Sequence, residues 1–283
     1  MSLISQARTA YHTALMQELL VCDANGCPSN ADKSQNTSRT IAMHVGASLG
    51  AVQGPGLAPQ TAGDEFERIT AEFIRDVFLQ LGHLRPGTWA IEWIRSRSSL
   101  PIASYEQYAH LADIEQAARD NPELRIVLGR DYNIASDIII SRTPEPDTVI
   151  NGPGDIVDDR TALMAVLRAS NGGSALLHAC VSCKWTMRSD RAQNARSEAL
   201  NLIRNRKGHL PHIVVVTGEP LPTRLASLAL GTGDLDCVYH FALPELISAV
   251  KSLGQSEADD LLALMVEGKR LKDISDLPLD LAT

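Results

Sequence analysis

The stretch of residues 175–218, ALLHACVSCKWTMRSDRAQNARSEALNLIRNRKGHLPHIVVVTG, contains the pattern that decides the fold. Residues 175–185 predict a β-strand, and the apolar residues 213–216 predict a second, buried strand. Between them, residues 190–207 predict a helix. A strand, a helix and another strand in succession are typical of an α/β protein.

The same alternation continues on both sides of this stretch. Further strands are predicted at residues 88–94, 137–140 and 235–241. Helices are predicted at residues 5–20, 38–49, 64–81, 103–119, 160–169, 222–230, 243–253 and 257–267. The pattern therefore predicts an α/β fold with helices on both faces of a sheet.

The chain contains no repeat and no linker rich enough to divide it. Residues 1–283 are therefore expected to form a single domain. Within it, the N-terminal portion, about residues 1–82, is predicted to be helical, and about residues 83–283 are predicted to form the α/β core.

The overall charge argues against a polyanionic partner, because neutralisation of phosphates supplies most of the affinity for nucleic acids. The chain of 283 residues has a formal net charge of −8. Net charge, however, governs solubility and encounter rather than one local surface. Between Arg188 and Lys207 there are six Arg and Lys residues against two acidic residues, a local charge of +4. A partner with phosphates is therefore compatible with this segment.

The five cysteines predict free thiols. Their number is odd, and the sequence contains neither a signal peptide nor an apolar run of membrane-spanning length, so we expect a cytoplasmic protein with no membrane partner. Cys180 and Cys183 have the spacing of a redox or zinc motif. Residues i and i+3 of a strand face opposite sides, so we interpret this pair as structural.

Three residues have the chemistry of a metal-dependent phosphodiester nuclease. Asp137 opens a predicted strand, Lys184 lies near the end of another, and Glu198 lies in the helix that follows. Carboxylates bind Mg²⁺, a hard cation that prefers oxygen ligands, and a lysine ammonium can stabilise the phosphate or position the attacking water. From spacing alone, the alternative is that Lys184 is a solvated strand end and Glu198 an ordinary surface acid.

The residues around the lysine favour the nuclease. The sequence Ser182-Cys-Lys184-Trp-Thr-Met-Arg-Ser-Asp-Arg191, followed by Glu198, resembles the signature of a subgroup of type II restriction endonucleases in the PD-(D/E)XK nuclease superfamily. In that subgroup the second carboxylate has moved from the strand, here at Ser182, to the next helix. Similarity also covers residues 268–281 and, more weakly, most of the chain. The resemblance implies a restriction-endonuclease-like core, with a central mixed β-sheet flanked by helices on both faces.

The resemblance also implies which residues form the active site. The implied catalytic residues are Asp137, Lys184, Glu198, Glu67 and Ser182, the last of which occupies the vacated carboxylate position. The implied metal ligands are Asp137, Glu198 and the backbone carbonyl of Cys183. These would bind one or two Mg²⁺ ions per active site.

By the same resemblance, the enzyme would cut double-stranded DNA at a palindrome centred on CCGG, with GCCGGC cut as G/CCGGC to leave four-base 5′ overhangs. It would act as a homotetramer that cuts two sites together. The implied DNA contacts are Arg188, Asp190 and Arg191 to the central CCGG, Arg224 and Asp32 to the outer G·C pair, and Gln60 in the minor groove.

The chemistry of these side chains suits a GC-rich site. Arginine can donate two hydrogen bonds to guanine, and aspartate can accept from cytosine. Helix N-termini often present such residues to base edges. The alternative is that Arg188, Asp190 and Arg191 form a helix start with local ion pairs.

Two other functions stay open at this point. A structure-specific repair or junction nuclease of the same superfamily would not need the cluster of Arg188, Asp190 and Arg191. A non-catalytic DNA-binding protein on the same scaffold would not need an acid, a lysine and a second acid together. Digestion of a plasmid with Mg²⁺ separates the three, because they predict discrete fragments, structure-dependent nicks and no cleavage.

Overall fold

A mixed sheet of six strands forms the centre of the part of the chain that the computed structural model describes. That part comprises residues 1–95, 102–121, 123, 136–187, 189–231, 233–254 and 256–283, with the backbone alone at residues 115, 118 and 189–192. The strands are β1 (Thr88–Trp93), β2 (Ile138–Thr143), β3 (Leu176–Lys184), β4 (His212–Thr217), β5 (Cys237–His240) and β6 (Leu271–Asp273).

The strands lie in the sheet in the order of the sequence. β1, β2 and β3 are antiparallel neighbours, whereas β3, β4, β5 and β6 are parallel. In β4 every residue except His212 is buried, as expected for a parallel strand covered on both faces. β1, at the edge, has mostly exposed or half-buried residues. The predicted mixed α/β sheet is confirmed.

The helices connect and cover these strands. They are α1 (Leu3–Glu18), α2 (Asn36–Leu49), α3 (Pro59–Phe78), α4 (His110–Asp120), α5 (Asp147–Ile150), α6 (Ser189–Asn205), α7 (Pro222–Ala229), α8 (Leu243–Ser252), α9 (Ser256–Glu267) and α10 (Leu277–Asp280). Short 3-10 helices lie at Leu79–Leu81, Ile102–Ser104, Glu106–Tyr108, Ala169–Asn171 and Ile274–Asp276.

The two cysteines of β3 show that helices cover both faces of the sheet. The Cys183 thiol lies against Thr70 of α3, whereas the Cys180 thiol lies near Glu198 of α6. Both are buried, and burial raises the pKa of each thiol. The CxxC pair therefore points into two different layers, as its strand spacing predicted. The five cysteines are free.

The helix predicted at residues 160–169 is wrong, because this segment is a loop ending in a 3-10 turn. Ala162 has a positive φ of 54°, which a helix does not allow. The Asp158 carboxylate accepts hydrogen bonds from the backbone N–H groups of Arg160 and Thr161. Such local side-chain bonds compete with the helical pattern.

Three other differences from the prediction concern the starts of α3 and α4 and the strand β6. α3 begins at Pro59, five residues earlier than expected, because proline fits the first position of a helix. The helix predicted from residue 103 begins only at His110, after two 3-10 helices. β6 was not predicted, since three residues are too few for a periodic pattern. None of the helices in the described ranges has the combined length and hydrophobicity needed to cross a bilayer.

Candidate active site

Asp137 lies immediately before β2, and its carboxylate faces the end of β3. β2 and β3 pair antiparallel, and their register brings residue 137 beside that end. The Asp137 Oδ2 accepts hydrogen bonds from the Cys183 N–H at 2.7 Å and from Lys184 Nζ at 3.1 Å. The Ser182 hydroxyl donates to it at 3.4 Å. Asp137 is only 5% exposed, so these donors stabilise a buried charge.

The turn after β4 holds the backbone of Lys184 in place. The Lys184 carbonyl accepts hydrogen bonds from Thr217 Oγ1 at 2.7 Å and from the Gly218 N–H at 3.1 Å. A Cβ added at Gly218 would lie 2.6 Å from the Trp185 ring and 2.8 Å from its carbonyl oxygen. The glycine therefore allows the close approach of the two strand ends.

Glu67, on α3, is the second acid that the structure places near Asp137. Its Oε2 accepts a hydrogen bond from Trp93 Nε1 at 3.1 Å. Burial, followed by the nearby charge of Asp137, raises the pKa of Glu67 to about 7, although Lys184 opposes the shift. The structure therefore brings Glu67, Asp137 and Lys184 into one electrostatic group.

Glu198 lies on α6 and is partly buried. Its charge contributes to the raised pKa of Cys180, after the larger effect of burial. Cys180 and Ser182 share one face of β3, because side chains alternate along a strand. Glu198 therefore lies on the face that carries Ser182, which is the side that a displaced second carboxylate would need. Its catalytic role stays a prediction.

The donor atoms of the site suit a hard divalent cation. A cation bound by Asp137 would offset the negative charge that, after burial, raises the pKa of Glu67. Among the described residues, no three His, Cys, Asp or Glu side chains gather into a metal-binding group. The ligands implied above, two carboxylates and the Cys183 carbonyl, do not require such a group.

The predicted readers of the central bases fall largely outside the described residues. Arg188 lies outside them altogether. Asp190 and Arg191 belong to the first turn of α6, but their side chains are not described. Gln60 lies in the first turn of α3 and is exposed. These four contacts stay predictions.

The two residues predicted to contact the outer base pair lie together. Arg224 Nη2 pairs with Asp32 Oδ2, and Arg224 Nη1 donates to the Met187 carbonyl at 2.7 Å. Hydrogen bonds from Ser34 and Arg224 hold the pKa of Asp32 well below its ordinary value. Both residues line a cavity of about 570 Å³ that also contacts Trp185, and we name it the reading cavity.

Two residues beside the site were missed by the sequence analysis. Glu219 is 1% exposed and accepts a hydrogen bond from the Met187 N–H at 2.9 Å. An acid two residues after the end of a buried strand is a signal that could have singled it out. Trp93, which binds Glu67, gave no signal beyond its place in a predicted strand.

The comparisons with known proteins agree on one family. Residues 11–283 match the model of the family described as the NgoMIV restriction enzyme. The type II restriction enzyme NgoMIV of Neisseria gonorrhoeae is 52% identical over 282 residues, which is 99% of this chain and 99% of that enzyme. The match covers all the predicted catalytic and DNA-contacting residues.

A complex of restriction endonuclease PspGI with substrate DNA is among the solved structures that match. It aligns with 99% of this chain and 90% of its own, with a TM-score of 0.28 and 15% sequence identity. That structural similarity is too low to carry an argument.

Proposed function

The chain belongs to the NgoMIV restriction enzyme family and is a type II restriction endonuclease, and from that premise we propose that it hydrolyses double-stranded DNA at GCCGGC with Mg²⁺. The proposed cut is G/CCGGC, with four-base 5′ overhangs. The observation that carries the chemistry is the buried Asp137 carboxylate bound by Lys184 Nζ and the Cys183 N–H. Family membership excludes the two alternative functions, a repair or junction nuclease and a non-catalytic DNA-binding protein.

Restriction endonucleases of this kind generally use a divalent metal, and we propose Mg²⁺, with one or two ions per active site. Asp137, Glu198 and the Cys183 carbonyl would hold it, since oxygen ligands suit this cation. When bound, Mg²⁺ neutralises negative charge at the phosphate and makes water a better nucleophile. The neighbouring acid Glu67 adds negative charge that favours a cation at this place.

Lys184 would supply positive charge beside the scissile phosphate. Its ammonium already lies 3.1 Å from Asp137 Oδ2, and its side chain is 11% exposed. The bonds from Thr217 and Gly218 to its carbonyl limit backbone movement. A charge held in advance needs little reorganisation during the reaction, and such electrostatic stabilisation is usually the largest single contribution to catalysis.

We assign base reading to two groups of residues. Arg188, Asp190 and Arg191 would read the central CCGG from the start of α6. Arg224 and Asp32 would read the outer G·C pair, and their place on the wall of the reading cavity supports this. The assignment of Gln60 to the minor groove is supported by its exposed position next to Pro59, which also lines the cavity.

The mutual ion pair of Arg224 and Asp32 fits this role. A guanine can take the arginine donors and a cytosine amine can donate to the aspartate. An outer G·C pair would therefore offer a partner to each member of the ion pair as it opens. An A·T pair does not offer the same two partners.

We further propose that the enzyme acts as a homotetramer. Five large apolar residues between positions 149 and 166, from α5 to the loop before β3, are exposed, and Met164 is 91% exposed. The group comprises Val149, Ile156, Leu163, Met164 and Val166. A contiguous exposed apolar patch commonly marks an interface between proteins, and we propose that these residues form one. Sedimentation of the wild type and of Met164→Glu tests this, and equal masses at the size of one chain would contradict it.

The decisive experiment is digestion of supercoiled plasmids that contain two, one or no GCCGGC sites, with and without Mg²⁺. The proposal expects discrete fragments with four-base 5′ overhangs, and faster cleavage with two sites. Fragments from another sequence would overturn the assigned site while leaving the endonuclease intact. Cleavage at the same rate in a chelator would overturn the metal assignment.

A further inference from the structure

Glu219 is a buried carboxylate that the proposed chemistry does not use. It follows β4, where the Thr217 hydroxyl accepts a hydrogen bond from its backbone N–H at 3.1 Å. Its Oε2 accepts from the Met187 N–H at 2.9 Å, and its Oε1 accepts from the Leu221 N–H at 3.1 Å. With 1% of its surface exposed, this acid depends on protein donors.

Arg224 completes the surroundings of this carboxylate. Arg224 Nη1 lies 3.5 Å from Glu219 Oε2 and donates to the Met187 carbonyl at 2.7 Å. The N–H and the carbonyl of Met187 are therefore held by the acid and the arginine respectively. The acid also fixes one side of the guanidinium, while the other side pairs with Asp32.

Met187 lies in the short connection between the catalytic strand and the helix that follows it. β3 ends at Lys184, and Met187 follows three residues later. α6 begins two residues after Met187, at Ser189. The catalytic strand and the helix predicted to read the central bases are thus joined through this residue. The same carboxylate that fixes the junction also orients Arg224, the predicted reader of the outer pair.

We propose that Glu219 is a positioning residue for sequence discrimination, which aligns Arg224 and the start of α6 with the Asp137–Lys184 pair. This inference rests on the proposed function. An oriented guanidinium loses less freedom when it binds a guanine, so the benefit is greatest for the correct base. Asp32 can exchange its partner for a base, whereas Glu219 is buried and keeps Arg224 in place throughout.

The test compares Glu219→Gln with the wild type on a GCCGGC duplex and on an ACCGGT duplex, which changes only the outer pair. The single-turnover cleavage rate and the affinity without metal are measured on both. The ratio of the value on GCCGGC to the value on ACCGGT, for both the cleavage rate and the affinity, should fall by roughly tenfold in Glu219→Gln. The reason is that one bidentate contact loses its orientation. The affinity for a scrambled duplex should stay at the wild-type value.

Asp273→Asn is the matched control. Asp273 is also buried, accepts a hydrogen bond from a backbone N–H, that of Leu243, and pairs with an arginine, Arg8. It belongs to β6, at the far edge of the sheet from β1. Its substitution tests the loss of a buried structural carboxylate and should leave the discrimination ratio unchanged.

The possible outcomes distinguish an error in the proposed recognition site from an error in the role of Glu219. If the wild type does not prefer GCCGGC to ACCGGT, the proposed site fails. If the wild type prefers GCCGGC and Glu219→Gln loses activity equally on both duplexes, Glu219 is a structural residue and the inference fails. Should Glu219→Gln not fold, Glu219→Asp carries the same comparison, and loss of folding in both variants would also overturn the inference.

Discussion

The active site and the reading cavity both adjoin the end of β3, the first through Lys184 and the second through Trp185, and their acidic residues are held differently. Around Asp137 the donors all come from the end of β3, one of them a backbone N–H, and the acid is almost fully buried. In the reading cavity, Asp32 and Arg224 pair with each other through side chains that are partly exposed. The catalytic groups are therefore set in advance, whereas the reading groups hold partners that DNA bases can replace.

The largest effect is expected from Asp137→Ala, which breaks the catalytic side of this comparison. The cleavage rate should fall by at least about a thousandfold, because several kcal/mol of metal-dependent stabilisation are lost. Affinity for a GCCGGC duplex without metal should stay near the wild-type value. Single-turnover cleavage and fluorescence anisotropy measure the two quantities. Wild-type turnover in Mg²⁺ would remove Asp137 from the active site.

Glu198→Ala should reduce cleavage by roughly a hundredfold or more, since a second metal ligand is lost. Adding Ser182→Glu to this variant should recover part of the activity, because Glu198 of α6 lies near Cys180, on the face of β3 that also carries Ser182. Glu257→Ala, which removes an exposed acid of α9, is the control and should cut normally. Normal cleavage by Glu198→Ala would refute the displaced carboxylate.

Arg191→Ala should weaken binding to a GCCGGC duplex by about one to two orders of magnitude, since a bidentate contact to guanine is worth roughly 1–3 kcal/mol. Binding to a scrambled duplex should change much less. The control is Arg204→Ala, at the exposed opposite end of α6. An equal loss on both duplexes, with a shallower salt dependence, would instead make Arg191 a phosphate contact.

Arg224→Ala probes the reading cavity itself, with an expected loss of about tenfold in the preference for GCCGGC over ACCGGT. Affinity for the ACCGGT duplex should be almost unchanged. Arg270 also donates to backbone carbonyls, those of Leu235 and Asp236, so Arg270→Ala controls for loss of structural bonds. If both variants reduce the preference equally, the cavity does not read the outer pair.

The smallest effect concerns the pH dependence of stability. In the absence of divalent metal, the folded protein retains a proton on Glu67 up to about pH 7, whereas the unfolded chain releases it near 4.5. The folded state binds more protons in this interval, so the free energy of unfolding should decrease as the pH rises through it. Glu67→Gln should remove that decrease, and saturating Mg²⁺ should reduce it. Denaturant titrations at several pH values measure the free energy of unfolding. Identical pH profiles for the wild type and Glu67→Gln would contradict the raised pKa of Glu67.

The sequence predicted elements with clear apolar patterns, but not features that depend on specific hydrogen bonds or on contacts between distant residues. β3 and β4 were evident from their apolar runs. The positions of Asp137 and Lys184 at predicted strand ends left a non-catalytic alternative open, and the resemblance around residues 182–191 assigned them to the active site. The loop at residues 160–169 was misread as a helix, because the bonds that Asp158 makes with nearby backbone do not show in periodicity. Trp93 lies 26 positions from Glu67 and became recognisable only once the fold brought them together.

The ion pair in the reading cavity joins two segments that are 192 positions apart in the sequence, and neither of its carriers lies on β3. Substitutions at Asp32 and Arg224 can therefore alter the cavity without changing the sequence of β3 itself. The central bases, by contrast, would be read from a helix that follows the catalytic strand directly. We expect evolutionary change of the recognition sequence to begin at the outer base pair, while the inner CCGG is retained.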